Sequence, residues 1–465
     1  MIAALDSLKR RAATARRTPG LLQARLSDPW LDYAARRNHT GIAAHLIARQ
    51  LQPLAASSAG ARNLLVLPKP GFIEDVTATF AEDPRFNLFS LRRETTKAVA
   101  RAFFPRGVDD NTYGAGVPAI EAGKPPARRF WRAVVGHLRK TRGIDAILSG
   151  NFCYYAEQEL AAACEAEGVR FIAMMKENLK TPGLEPFYEE IYRTRKDPFK
   201  GSLITTYNGI EKRLEAAAGI FPEERIHVVG MPRLDAVHRW REAHAGRDTS
   251  RSERPSVLFM SFNERTSAPY LGRKSEAGEE RLAAELEAVR WSSLVREAHG
   301  AVARLARDNP DLDVIIKAKD HGVALAALAR GLGEDFEAPA NLRIVTGGDP
   351  FELITSVDVM FAFSSTALFE GLAANTPIVT AAFAEAADPA LKPYVVDIGD
   401  AAAPAGSPEE LVALLAGKAR ERASHNRRGS LDSRQQAMLD HWVGNPDGRS
   451  GRRTADLVAR HLDAA

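Results

Sequence analysis

An α/β protein with two parallel-sheet domains is what this chain of 465 residues predicts. Three observations carry that expectation. From Arg62 onward, short apolar runs alternate with helical segments, the pattern of parallel α/β units. The alternation stops at a polar, charged stretch, REAHAGRDTSRSERP, and then restarts. The length is also too great for one core of ordinary size. The organisation that follows is a basic helical arm over 1–55, an N-terminal Rossmann-like domain over 56–240 and a linker over 241–255. A C-terminal Rossmann-like domain over 256–415 and a helical tail over 416–465 complete the chain.

The arm holds most of the charge asymmetry. Residues 1–50 carry a net +6, whereas the whole chain carries +4. Its Leu, Ala and Ile recur at helical spacing with Arg between them, which suits an arm packed on the body or a basic face on anionic lipid. The packed arm is the preferred reading. Strands follow at 64–68, 86–91, 145–150, 170–175, 203–207 and 226–230, where runs such as LLVLP and DAILSG are apolar enough for a sheet covered on both faces. Residues 156–167 read as a helix that Gly168 ends. In the second half the strands are 256–262, 313–319, 342–347, 358–363, 377–382 and 395–399. Asp349-Pro350 opens a short helix as cap and first-turn proline. Ser407 to Glu410 opens another with capping-box spacing.

Composition excludes several classes. At 45% hydrophobic residues the chain can build globular cores, yet no apolar run reaches the ~18–20 residues of a membrane span. The basic N-terminus lacks the apolar block and small-residue site of a secretory signal. Cys153 and Cys164 match no redox or metal spacing and read as buried reduced thiols, consistent with a cytoplasmic protein. No zinc spacing appears among the histidines, and no metal or other cofactor is called for. Gly347-Gly348 lacks the Lys-Ser/Thr of a P-loop, and neither first strand is followed by GxGxxG, so ATP hydrolysis and dinucleotide chemistry are disfavoured. No basic stripe interleaved with aromatics recurs beyond the arm, against nucleic-acid binding.

The segment DVMFAFSSTALFEGLAANTPIV (358–379) is the most informative. It reads as strand, tight turn, helix and strand. Ser364, Ser365 and Thr366 bring hydroxyls and backbone N–H groups to a helix N-terminus, where phosphate oxygens bind well. Glu370 follows one turn later on about the same face, placed to accept hydrogen bonds from ribose hydroxyls. The loop after the first strand of the second half offers Ser261, Asn263, Arg265 and Thr266 for phosphate or sugar hydroxyls, with Arg as a bidentate fork.

These features, with VVGMPRLD (228–235) and DVIIKAKD (313–320), resemble GT-B nucleotide-sugar glycosyltransferases. Within that superfamily the likeness is to bacterial surface-polysaccharide transferases, including the CDP-glycerol glycerophosphotransferase and capsule groups, and it covers about half the chain. Those groups carry His-Pro where this chain has Lys317-Ala318-Lys319-Asp320-His321. The departure leaves open whether the donor is CMP-, CDP- or UDP-linked. Alternation puts Lys317 and Lys319 on one strand face, where two ammonium groups can neutralise donor phosphate, and His321 stands two positions on from the missing imidazole.

The resemblance implies that the N-terminal domain binds a glycan or lipid-linked glycan acceptor. Lys176, Glu177 and Asn178 emerge at the end of the strand over 170–175, which makes Glu177 the candidate proton acceptor of an inverting transfer. Asn151 and Tyr154, with neighbouring Tyr155, hold an equivalent place after DAILSG. The Pro-Lys-Pro-Gly loop (68–71) resembles the Gly-containing loop near the acceptor in that fold, and Arg233 with Asp235 is expected to face the cleft or the hinge. The function implied is sugar transfer in lipopolysaccharide, capsule or other bacterial cell-envelope assembly. A nucleotide-sugar 2-epimerase and a non-catalytic binding scaffold of the same fold remain alternatives.

Overall fold

The apolar runs become the strands of two sheets, because a continuous Val/Ile/Leu/Phe run buries both of its faces only between helical layers. The computed structural model describes residues 29–464 apart from 56, 177, 195–197, 246–253, 269–283, 285, 321, 334–335 and 426–428. The first half carries β1 (Gln52–Pro53), α1 (Thr40–Gln50) before it, β2 (Arg62–Val66), α2 (Phe72–Phe80), β3 (Phe86–Ser90), α3 (Arg93–Phe103) and α4 (Pro118–Arg142). It continues with β4 (Ile144–Ser149), α5 (Tyr155–Ala166), β5 (Arg170–Met174), α6 (Glu185–Thr194), β6 (Leu203–Thr206), α7 (Gly209–Ala217) and β7 (Ile226–Val228). These strands form one sheet in the order β1-β3-β2-β4-β5-β6-β7. All its pairings are parallel except the short edge pair of β1 with β3.

The second half runs α8 (Leu234–Ala243), β8 (Ser256–Met260), α9 (Ser292–Asp308), β9 (Asp313–Ala318), α10 (Gly322–Leu332), β10 (Leu342–Thr346) and α11 (Pro350–Ser356). It ends β11 (Val359–Phe361), α12 (Ala367–Ala374), β12 (Ile378–Ala381), β13 (Ala403–Ala405), α13 (Pro408–His425), α14 (Ser433–Val443) and α15 (Ser450–Asp463). The second sheet is wholly parallel, in the order β10-β9-β8-β11-β12-β13. Both sheets are Rossmann-like.

The chain divides into two units. Unit 1 comprises Met1–Asn178, Glu189–Arg233 and Arg449–Ala465; unit 2 comprises Leu179–Tyr188 and Leu234–Gly448. The breaks therefore fall elsewhere than the 241–255 stretch, most of which lies outside the described residues, and the tail is split between the units. In unit 1, α15 places Ala455, Val458 and Leu462 in one core with Phe72, Val76, Phe80, Leu64 and Leu88. The α1 part of the arm buries Ala43, Ala44, Ile47 and Ala48 and packs on α4; residues 1–28 lie outside the described residues. In unit 2, the 179–188 segment is fixed by the Gly183 N–H, which donates to Pro393 O at 2.8 Å. A Cβ on Gly183 would stand 2.8 Å from the Tyr394 ring.

One strand expectation is corrected. Residues 395–399 are not a strand, although Val396 and Ile398 are buried. The last strand of this sheet is β13, Ala-Pro-Ala, paired with β12. Proline is tolerated there because an edge strand needs no second ladder of donors. The two expected caps form. Asp349 accepts from Phe351 N–H at 2.9 Å, and Ser407 Oγ accepts from Glu410 N–H at 3.1 Å. The Glu410 carboxylate does not complete the box; it takes the Gly406 N–H at 2.7 Å.

Candidate functional site

Strand order locates a crevice in unit 2. The chain runs outward from β8 through β9 to β10, then returns to the other side of β8 as β11. Connections leaving β8 and β11 therefore diverge to opposite faces of the sheet, and their carboxyl ends open the crevice at which α/β sheets bind ligands. The flanking loops are 261–268 and 362–366, two segments the sequence singled out.

At the corner after β11, Ser364 adopts φ 43°, a left-handed conformation unusual for serine. The residue is buried, and its Oγ accepts the Val396 N–H at 3.0 Å. Its carbonyl accepts the Ser267 hydroxyl at 3.2 Å, tying the two loops together. Ser365 Oγ accepts the Ala367 N–H at 3.2 Å. Thr366 is the N-cap of α12 and its side chain makes no cap bond. Ser365 and Thr366 are half-buried, and among the described residues their N–H groups donate to no protein acceptor. Glu370 lies half-buried in the first turn of α12. Small residues on this helix allow close docking: a Cβ on Gly371 would collide with the Met360 side chain at 2.3 Å.

In the loop after β8, the Ser261 N–H donates to Lys317 O at 2.9 Å, and Ser261 Oγ lies 2.9 Å from His299 Nε2. His299 is fully buried and its Nδ1 lies 2.6 Å from Val295 O. Burial pulls its pKa down to about 4. Asn263 Oδ1 accepts the Arg265 N–H at 2.8 Å, and Thr266 Oγ1 accepts the Asn263 N–H at 3.2 Å. Arg265 Nη1, expected on phosphate or sugar hydroxyls, bonds the carbonyls of Leu286 (2.8 Å), Val289 (3.1 Å) and Glu287 (3.3 Å), bracing the loop.

Lys317 and Lys319 do not form a strand-face pair. The strand ends at Ala318; Lys317 is buried and Lys319 is exposed. Lys317 Nζ donates to Gly347 O at 2.7 Å, and burial lowers its pKa against the opposing pull of Asp320 and Asp349. His321 lies outside the described residues.

Unit 1 has its own reversal of strand order, between β2 and β4. The loops there are 67–71 and 150–154, both anticipated. Lys69 Nζ stands 3.5 Å from the Tyr154 ring centroid, and the Arg93 guanidinium stands 4.1 Å from it. Arg93 pairs at 2.9 Å with buried Glu157, which also holds Ser149 Oγ at 2.5 Å; burial pushes Glu157 up. Lys176 Nζ donates to Pro70 O at 3.3 Å. Asn151 is buried with its Oδ1 accepting the Cys153 N–H at 2.9 Å. Asn178 is buried too: its Nδ2 donates to Met175 O at 2.7 Å and its Oδ1 accepts the Tyr207 N–H at 3.0 Å. In these contacts both asparagine side chains brace loops. Glu177 lies outside the described residues.

The GMPRLD motif divides between the units at Arg233/Leu234. Arg233 Nη1 reaches Asp75 Oδ2 at 3.0 Å, the Tyr207 hydroxyl at 3.1 Å and Gly71 O at 3.2 Å, all in unit 1. Asp235 accepts from Asn445 Nδ2 at 2.7 Å inside unit 2. Sequence reading found neither Asp75 nor His299, whose partners lie far away in the chain. Among the described residues no group of three His, Cys, Asp or Glu side chains could hold a metal ion, and no helix is long and apolar enough to cross a membrane.

No family model and no curated protein matches the chain. Solved structures similar to it include UDP-GlcNAc 2-epimerase from Methanocaldococcus jannaschii, at 13% identity and TM-score 0.46, covering 86% of this chain and 99% of that one. Another is UDP-GlcNAc 2-epimerase from Neisseria meningitidis bound to UDP-GlcNAc, at 10% identity, TM-score 0.45 and 86% and 100% coverage. An α,α-trehalose-phosphate synthase (UDP-forming) from Burkholderia vietnamiensis matches at 12% identity and TM-score 0.45, with 87% and 100% coverage.

Proposed function

We propose that the chain is a nucleotide-sugar enzyme of the GT-B kind, acting as a glycosyltransferase on a surface-glycan acceptor. One observation carries the reading. At the strand-order reversal of unit 2, the Ser364–Thr366 corner presents two backbone N–H groups and the Thr366 hydroxyl, the donors an activated phosphate needs at a helix N-terminus. Glu370, one turn along, supplies a carboxylate for ribose hydroxyls.

Lys69 and Tyr154, with Lys176 bonded to Pro70 O of the 67–71 loop, suit the acceptor in unit 1. In the inverting form, the acceptor oxygen bonds to the anomeric carbon while the bond from that carbon to the phosphate oxygen breaks. The acceptor proton passes to Glu177, and the nucleotide leaves with the electron pair. The donor base, whether CMP-, CDP- or UDP-linked, is fixed by titration.

Calorimetry with CMP, CDP and UDP tests the reading. At least one should bind, and Glu370→Ala should weaken it about 10-fold or more, the loss of a charge-assisted hydrogen bond. Failure of every nucleotide to bind refutes the assignment and leaves the scaffold reading. Incubation with nucleotide sugar alone separates transfer from epimerisation, since an epimerase interconverts the free donor without acceptor.

A further inference from the structure

The buried His299 fixes which way the Ser261 hydroxyl can point, and with it what that residue can recognise. His299 Nδ1 lies 2.6 Å from Val295 O, one turn earlier in α9. A carbonyl only accepts, so Nδ1 carries the proton. The other nitrogen, Nε2, lies 2.9 Å from Ser261 Oγ. For the ring to hold a second proton there, a fully buried imidazolium would need an anionic partner, because burial without one strongly disfavours charge. The ring's surroundings are apolar. Phe259 meets it edge-on at 4.8 Å between centroids, Phe262 lies at 5.8 Å, and a Cβ on Gly331 would stand 2.6 Å from the ring. The imidazole is therefore neutral and Nε2 is a lone pair. Burial acts in the same direction, holding the His299 pKa near 4.

A neutral imidazole in that tautomer takes the one hydroxyl proton of Ser261. Ser261 Oγ is then left with lone pairs only. Thr266 in the same loop has the opposite polarity, because its Oγ1 accepts the Asn263 N–H at 3.2 Å and keeps its own proton for donation. Both residues are half-buried beside the reversal of strand order.

We infer that His299 is a positioning residue that makes Ser261 an acceptor-only subsite, selective for a ligand hydroxyl or N–H and unsuited to phosphate oxygens. This rests on the nucleotide-sugar reading above and deepens it: the ligand groups at Ser261 are hydroxyls or N–H groups of the nucleoside, and phosphate is left to the Ser364–Thr366 corner. Of the two ligand groups the sequence leaves open for Ser261, phosphate or sugar hydroxyls, it keeps only the hydroxyls.

Two measurements on the full chain test it. In long-range proton–nitrogen spectra of histidine-labelled protein, the ring perturbed by Ser261→Ala should show a protonated Nδ1 and a bare Nε2 at pH 7. A proton on Nε2 overturns the inference. In calorimetry, Ser261→Ala should weaken the bound nucleotide among UDP, CDP and CMP about 3- to 10-fold, the range of one neutral hydrogen bond, and leave inorganic pyrophosphate unchanged. Unchanged nucleotide affinity, or equal weakening of pyrophosphate, overturns it. Failure of the wild type to bind any nucleotide overturns the proposed function and the ligand class together, while the spectra still decide the hydroxyl's orientation.

Discussion

Replacing Arg233 with Met should destabilise unit 1 by about 3–5 kcal/mol, the cost of leaving a buried charge without its partner. Asp75 is buried, with 2% of the residue exposed. It accepts from Arg233 Nη1 at 3.0 Å, from Arg233 N–H at 3.2 Å and from the Tyr207 hydroxyl. Burial already pushes Asp75 up, with Arg233 and Tyr207 opposing that shift. Without the guanidinium, Asp75 keeps a single side-chain donor and Gly71 O loses its contact. Against the ~5–15 kcal/mol stability usual for a domain, this is a large fraction. For a domain of ~150–250 residues it lowers the melting temperature by about 6–20 °C. Urea unfolding followed by near-ultraviolet circular dichroism reads the loss, provided the transitions of the two units are resolved. Adding Asp75→Asn should recover most of it, because the buried charge disappears while Tyr207 still has a carbonyl to donate to. Nucleotide affinity should stay unchanged, since every partner named lies in unit 1. A loss under about 1 kcal/mol, or a double variant no more stable than the single, refutes the buried-pair reasoning.

Two other outcomes follow from the packing. His238 accepts from Arg241 Nη1 at 3.0 Å and donates through Nε2 to Asn445 O at 3.0 Å, and burial lowers its pKa to about 4. A folded value below the unfolded ~6.5 means its contribution is complete above about pH 6.5 and fades as pH falls toward 4, by roughly 2 kcal/mol at pH 5. Burial-raised Asp75 and Glu157 work in the opposite direction, so the comparison is the pH slope of unfolding free energy in wild type and His238→Gln; equal slopes rule the effect out. Glu385 accepts the N–H groups of Ser293 and Leu294, both at 2.7 Å, at the start of α9. Glu385→Ala should cost about 1–2 kcal/mol, and a melting temperature within error of wild type would show that water replaces the cap.

What the sequence made legible was local. The strand runs and the Ser-Ser-Thr corner are contiguous, so their chemistry can be read in place. Residues 395–399 misled because a buried coil carries the same apolar signature as a strand; Val396 is buried to present its N–H to Ser364, not to join the sheet. Lys317 was found at its strand end, but its direction depends on the Gly347 carbonyl of a loop 30 positions away. His299 acts on a residue 38 positions earlier and Arg233 on one 158 positions earlier, with no periodicity to announce either. The polar 241–255 stretch reads as a linker because it is charged and lacks a hydrophobic period. The actual change of unit occurs within GMPRLD, where each flanking residue is fastened to its own unit and nothing in the composition changes.

The corner itself shows why serine, and not glycine, stands at 364. A serine at φ 43° carries a penalty of roughly 1–2 kcal/mol relative to glycine. The bond from Val396 N–H to its Oγ returns about 1 kcal/mol, the net value of an ordinary hydrogen bond. The two nearly cancel, so stability alone gives little reason for the arrangement. What serine adds is position. Its Oγ anchors the chain at 396 and its carbonyl anchors Ser267, so one residue registers three loops of unit 2. With Ser364 locked in this way, the next two N–H groups are aimed by the backbone and not by flexible side chains. A site that must surround a phosphate from several directions gains from that rigidity, because donors fixed before binding require no ordering when the ligand arrives.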